Sequence, residues 1–196
     1  MLIEIEGIRK ESLFGDISNL SDNIVSIKVD GCTKEYFMWG FRVGFITIAT
    51  KHFSNLAYEA IETKLSAALR RSVSNICNIS QSVLLQGLKD KRIEKQREEK
   101  FLLLKSRYDC MKKLVNRDSA KSFWDVYPCN SGYFICLRLV KRFDAEKIRK
   151  IILEKNGIGV VSLPNNSIRI AFSCIEEVSM ENFINKLISC LMDLRQ

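Results

Sequence analysis

The sequence predicts an α/β protein in which a strand–loop–strand unit with its helices precedes a small α+β domain containing a three-stranded sheet. Three observations carry that expectation. Residues 24–30, Ile-Val-Ser-Ile-Lys-Val-Asp, alternate apolar and polar as a strand does, and a second apolar run, 43–49, follows a glycine-bounded connection. Apolar residues then recur at three and four over 53–71, and again from Phe101 through Leu104, Tyr108 and Met111 to Val115, as on one side of a helix. Beyond Gly132 the pattern shortens to a β-α-β-β-α order.

Composition narrows the class. With 196 residues, 46% hydrophobic and 28% charged, the chain can bury a real core and reads as one large or two small globular domains. No apolar run approaches the roughly 20 residues that span a bilayer. The start, Met1-Leu2-Ile3-Glu4-Ile5-Glu6, lacks the basic and apolar regions of a secretory signal, so a cytoplasmic protein without a membrane partner is expected. Seven cysteines without CxxC or Cys/His spacing predict reduced thiols, with neither a disulfide framework nor a metal site. The lone histidine, His52, has no neighbour that marks it as catalytic. Of the net charge of +8, residues 89–117 supply +6, from eleven Lys/Arg against five Asp/Glu. A solvated helix face explains that charge. Without interleaved aromatics or a recognisable motif, nucleic acid is not an expected partner.

Taken in order, residues 10–20 predict a short helix and 19–23 a turn. After the helix over 53–71, residues 70–78 break the period. Ser80 is expected to cap a helix that runs to about Leu88, and a second, long helix covers 91–116. A boundary follows, with 116–119 as a turn, 124–128 as a loop holding Pro128, and 130–132 as another turn. Strands are predicted over 133–139, 158–163 and 167–173. Asp144 should cap a helix over 145–155 that Asn156-Gly157 ends, and Ser179 should cap the last helix, which buries Phe183, Ile184, Leu187, Ile188 and Leu191.

The chemistry concentrates in Gly31-Cys32-Thr33-Lys34-Glu35-Tyr36-Phe37-Met38-Trp39-Gly40-Phe41-Arg42-Val43-Gly44, between the first two strands. A lysine in a strand-end connection can enter a pocket where desolvation lowers its pKa, leaving a neutral amine to condense with an aldehyde cofactor. Arg42, beginning the next strand, is placed to fold back and hold a phosphate bidentately. A Lys and an Arg flanking a turn by chance is the bland alternative.

This stretch resembles the cofactor-lysine signature of class I/II (fold-type I) pyridoxal-phosphate aminotransferases, in which small and hydroxyl residues precede the Schiff-base lysine and Gly-x-Arg-apolar-Gly follows. Gly31, Cys32, Thr33, Lys34, Gly40, Arg42, Val43 and Gly44 match it. Phe37 stands where the family usually has a small residue, and Gly31 where many members carry a phosphate-binding serine. The resemblance implies pyridoxal 5'-phosphate as cofactor, Lys34 as its catalytic lysine, and Arg42 and Thr33 as cofactor-binding residues. It also implies that Ser74-Asn75, in a connection of the form Arg-x-x-x-Ser-Asn, binds cofactor near a dimer interface, although Ser-Asn is also ordinary loop chemistry.

Arg169 sits in Ser-Ile-Arg-Ile-Ala-Phe, on the opposite strand face from Ile168 and Ile170. An exposed strand arginine is the usual reading of such a position. In the family the arginine of the corresponding motif grips the substrate α-carboxylate, and the resemblance carries that role to Arg169. It further implies that residues 1–79 are the C-terminal part of a cofactor-binding large domain, 80–118 interdomain helices, and 119–196 the small domain. The family's ring-binding aspartate and tyrosine lie upstream of such a stretch and have no match here. The expectation is therefore the C-terminal portion of an aminotransferase, acting on an amino acid and a 2-oxo acid, a homodimer at full length and inactive as this piece. Two alternatives stay open: another fold-type I reaction, such as a lyase, decarboxylase or acyl transferase, and a non-catalytic regulatory or nucleic-acid-binding module of the same fold.

Overall fold

The computed structural model describes residues 11–194. They fall into two compact units divided between Arg97 and Glu98, within a single long helix. The start of the predicted helix over 10–20 lies outside the described residues; within them, the helix is confined to α1, Phe14–Ser18.

In the first unit, strands β1 (Ser26–Gly31) and β2 (Gly44–Ala49) pair antiparallel in the register Gly31↔Gly44 to Ser26↔Ala49. The one-turn helix α2, Cys32–Glu35, lies in the connection between them. Opposite residues share a face, so Ile27, Val29 and Ile46 stand together, and all three are exposed. Helix α3, Asn55–Ser72, starts where the Ser54 hydroxyl accepts the Ala57 N–H at 3.3 Å. Helix α4, Asn78–Lys89, begins earlier than the sequence predicts. Its cap position is Cys77, and Ser80 is buried inside the first turn, where its hydrogen bonds to the Cys77 thiol lower that thiol's pKa. Helix α5, Arg92–Val115, follows.

The second unit is built on four strands, where three were expected. Strands β3 (Trp124–Val126), β4 (Ile135–Leu139), β5 (Val161–Leu163) and β6 (Ser167–Ile170) form an antiparallel sheet in the order β3-β4-β6-β5. The additional strand is the segment read as a loop. Its backbone pairs with Leu137–Leu139, and the Trp124 indole N–H, buried, donates to the Val115 carbonyl at 2.9 Å. Two predicted strands are shortened at their starts, and 171–173 leave the sheet, Phe172 entering a 3-10 turn.

One face of the sheet carries the core. Ile135, Leu137, Leu139, Ile168 and Ile170 pack with Ile148 and Ile152 of α6 (Ala145–Asn156), Ile184, Leu187 and Leu191 of α7 (Glu177–Asp193), and Tyr108 and Met111 of α5. The Tyr108 ring meets Phe172 edge-on at 5.7 Å. Helix α6 is bounded as its sequence predicts: Asp144 Oδ1 accepts the Lys147 N–H at 2.6 Å, and Gly157, at φ 66°, donates to the Leu153 carbonyl. Helix α7 instead takes Glu176 as its cap position, so Ser179 lies inside its first turn and donates its N–H to the Glu176 carbonyl. Among the described residues no helix is long and apolar enough to cross a membrane.

Candidate functional site

The connection between β1 and β2 is organised by Cys32. Its N–H donates to the Val43 carbonyl at 3.0 Å, and its own carbonyl accepts from Tyr36 and Met38 at 3.1 and 3.2 Å. The side chain is buried at 1% exposure with Val43 and Leu84, and Tyr36 and Met38 pack on this small core. Burial pushes the Cys32 thiol pKa up, so the group behaves as a small apolar anchor. With Cys32 fixed inward, Lys34 falls on the exposed side of the same helical turn.

Arg42 closes the loop in the left-handed region, at φ 53° and ψ 42°. That conformation costs a side-chain-bearing residue about 1 kcal/mol or more, and it turns the guanidinium back over the loop. Arg42 Nη1 donates to the Trp39 carbonyl at 3.1 Å and to the Thr33 hydroxyl at 3.4 Å. Among the described residues no carboxylate pairs with it. Phe37, also left-handed at φ 56°, makes the other bend.

Of the three glycines in this stretch, one is sterically required. A Cβ on Gly44 would sit 2.9 Å from the Asp30 carbonyl oxygen, whereas a Cβ on Gly31 or Gly40 would meet nothing within 4 Å. Gly44 therefore permits the close strand approach from which the loop springs.

The structure brings Arg42 onto the Thr33 hydroxyl, in the loop that also carries Lys34. Ser74 and Asn75 lie elsewhere in the same unit, in the connection after α3. Ser74 is left-handed at φ 68° and its hydroxyl accepts from Arg70 at 3.4 Å, while the Asn75 side chain accepts the Ile76 N–H at 2.9 Å. Among the described residues no hydrogen bond joins them to the Lys34 turn. Arg169 belongs to the second unit, half-buried on β6, with its guanidinium 4.6 Å from the centre of the Phe134 ring. His52 is exposed and lies 2.9 Å from Asp22.

Sequence reasoning missed Arg97. From the start of α5, its Nε donates to the Glu35 carbonyl at 3.2 Å and its guanidinium covers the Tyr36 ring at 4.7 Å. This clamps the end of the helical turn that presents Lys34. In the sequence Arg97 is one charge among many, 62 residues from its partner.

A primary amine, a hydroxyl and a guanidinium in one short loop suit an aldehyde that also carries a phosphate. The model matching aminotransferases of class I and II covers residues 5–187. The chain belongs to the class I and II aminotransferase family. A comparison with curated protein sequences gives no match. Among solved structures, an aminotransferase from Anaerococcus prevotii is similar with a TM-score of 0.71 at 23% identity, over 89% of this chain and 41% of that one. LysN, an α-aminoadipate aminotransferase from Thermus thermophilus complexed with N-(5'-phosphopyridoxyl)-L-leucine, has a TM-score of 0.73 at 19% identity, over 96% of this chain and 47% of its own. A kynurenine aminotransferase from Pyrococcus horikoshii, in complex with PMP, has a TM-score of 0.68 at 18% identity, over 87% and 41%. The chain thus spans less than half the length of these structures. Family and neighbours together indicate pyridoxal 5'-phosphate as the cofactor.

The residues present fit that group. Arg42 spends one nitrogen, Nη1, inside the loop, and among the described residues Nε and Nη2 make no hydrogen bond, so the guanidinium keeps donors for a phosphate beside the Thr33 hydroxyl.

Proposed function

We propose that this chain is the C-terminal portion of a pyridoxal-phosphate-dependent aminotransferase that moves an amino group between an amino acid and a 2-oxo acid. Carrying the reading is one observation: in a chain of this family, a loop anchored by buried Cys32 and Val43 carries Lys34 and folds Arg42 back onto Thr33. When bound, the cofactor supplies an electron sink for charge developing at the substrate Cα. Lys34 Nζ would hold the cofactor, and its amine would carry a proton at the substrate Cα. Arg42 and Thr33 hold the phosphate, and the pinned loop keeps Lys34 on its exposed side. Arg169 takes the substrate α-carboxylate through two parallel charge-assisted hydrogen bonds. Ser74 and Asn75 bind cofactor at the connection that a homodimer would share.

The exposed face of Ile27, Val29 and Ile46 supports the fragment reading. Apolar side chains on one face of a two-stranded ribbon give it little independent stability, and the remainder of a large domain would cover them. By itself the piece is inactive, and the complete protein is cytoplasmic. The test supplies the full-length protein with single amino acids and cofactor and detects the released 2-oxo acid. Lys34→Ala should abolish release; undiminished release by that variant would overturn the assignment.

A further inference from the structure

The sheet of the second unit leaves its other face open, and that face holds a cavity of about 500 Å³ lined chiefly by Tyr127, Cys129, Phe134, Cys136, Leu163 and Ser167. Such a volume lies within the range of small-molecule sites. Its walls are mostly apolar, and its polar groups are few and tied down. The Ser167 hydroxyl bonds the Asn165 carbonyl and the Tyr127 hydroxyl, and the Cys129 thiol lies in hydrogen-bonding reach of the Ser131 and Phe134 carbonyls.

Two guanidinium groups stack on rings that line it. Arg138 lies 5.9 Å from the centre of the Tyr127 ring, and Asp125, at 3.0 Å, neutralises it. Arg169 is stacked on Phe134, directly opposite Cys136 in the β4–β6 register, and among the described residues no carboxylate pairs with it. Its charge is felt inside the cavity, where it partly offsets the effect of burial on the Cys136 thiol. An apolar hollow with one uncompensated cation at its rim suits an anion that carries an apolar body.

Resting on the role given to Arg169 above, we infer that this cavity receives the side chain of the substrate whose carboxylate Arg169 holds, and that it selects aromatic or bulky apolar side chains over short ones. Tyr127 and Cys136 are the specificity-determining residues. A flat ring lies against Phe134 and Tyr127, and its burial displaces water from apolar surface. A short chain leaves the hollow wet and gains nothing from it.

The test titrates the 196-residue chain with propionate and with 3-phenylpropionate, following amide shifts by NMR. The expected result is binding about tenfold tighter for the aromatic acid, consistent with burial of part of one ring, with shifts at Tyr127 and Ser167. Cys136→Phe, which fills part of the hollow, and Tyr127→Ala, which removes a wall, should each bring the two acids to near parity. Tyr127 is partly exposed, so the second variant tests the cavity even where the first disturbs the sheet. Equal affinities in the unaltered chain, or a preference that survives both variants, would overturn the cavity's role and leave Arg169's intact. Propionate binding that is unchanged in Arg169→Gln, or absent altogether, would overturn both.

Discussion

Arg42 Nη1 reaches the Thr33 hydroxyl at 3.4 Å from a left-handed backbone, and the residue between them in function, Lys34, sits on the turn that this contact spans. The strain thus falls on the residue proposed to hold the phosphate. Arg42→Gly should remove the backbone strain together with the anchor. The melting temperature is expected to hold or rise, while cofactor affinity falls by at least about tenfold, the scale of one lost charge-assisted bond of about 1.5 kcal/mol or more. Parallel thermal melts and cofactor titrations check this, and a loss of stability without loss of affinity would contradict it.

Gly44→Ala should cost about 1–3 kcal/mol, because its Cβ would meet the Asp30 carbonyl at 2.9 Å. Gly40→Ala, with nothing within 4 Å, should be nearly neutral. Denaturant unfolding of the two variants side by side gives the comparison.

Arg97→Gln should leave the fold standing and loosen the Lys34 turn. Hydrogen exchange at the Tyr36 and Met38 amides is expected to quicken, and cofactor affinity to fall several-fold, on the scale of one cation–π contact of about 0.5–1 kcal/mol. Unchanged exchange at both amides would remove Arg97 from the account.

How much of this was legible in the sequence depends on how local each cause is. The Asp144 cap and the Gly157 stop rest on neighbours a few residues apart and were legible, as was the place of Lys34 between two strands; its helical turn, packed on Leu84, was not. Strand β3 was not legible. Three residues just before Pro128 are too few to signal a strand, and their strand character comes from bonds to β4. Ser80 and Ser179 looked like caps, but each helix starts three residues earlier, and burial draws Ser80 inward. Arg97 was invisible for the same reason: its partners are set by packing of α5 against the loop, which no spacing announces.

Glu146 gives a pH signature in the second unit. Hydrogen bonds from Arg149 and from the Ser162 hydroxyl hold its carboxyl at about 2, below the ordinary 4.5. A carboxyl depressed on folding contributes stability that is fully present above its unfolded value and is lost as pH falls from about 4.5 toward about 2. Glu146→Gln should flatten that part of the acid stability curve and leave its neutral-pH shape unchanged. Chemical unfolding followed between those limits reads it, and an equally steep acid limb in the variant would contradict the assignment.

The most direct test of the central claim is at Lys34 itself. The protein is incubated with pyridoxal 5'-phosphate, reduced with borohydride, digested and mapped by mass. A phosphopyridoxyl adduct concentrated on the peptide containing Lys34, and weakened by Arg42→Gln, is the predicted result. Label spread over surface lysines such as Lys91 and Lys95, with Lys34 of the full-length protein unmodified, would contradict the claim.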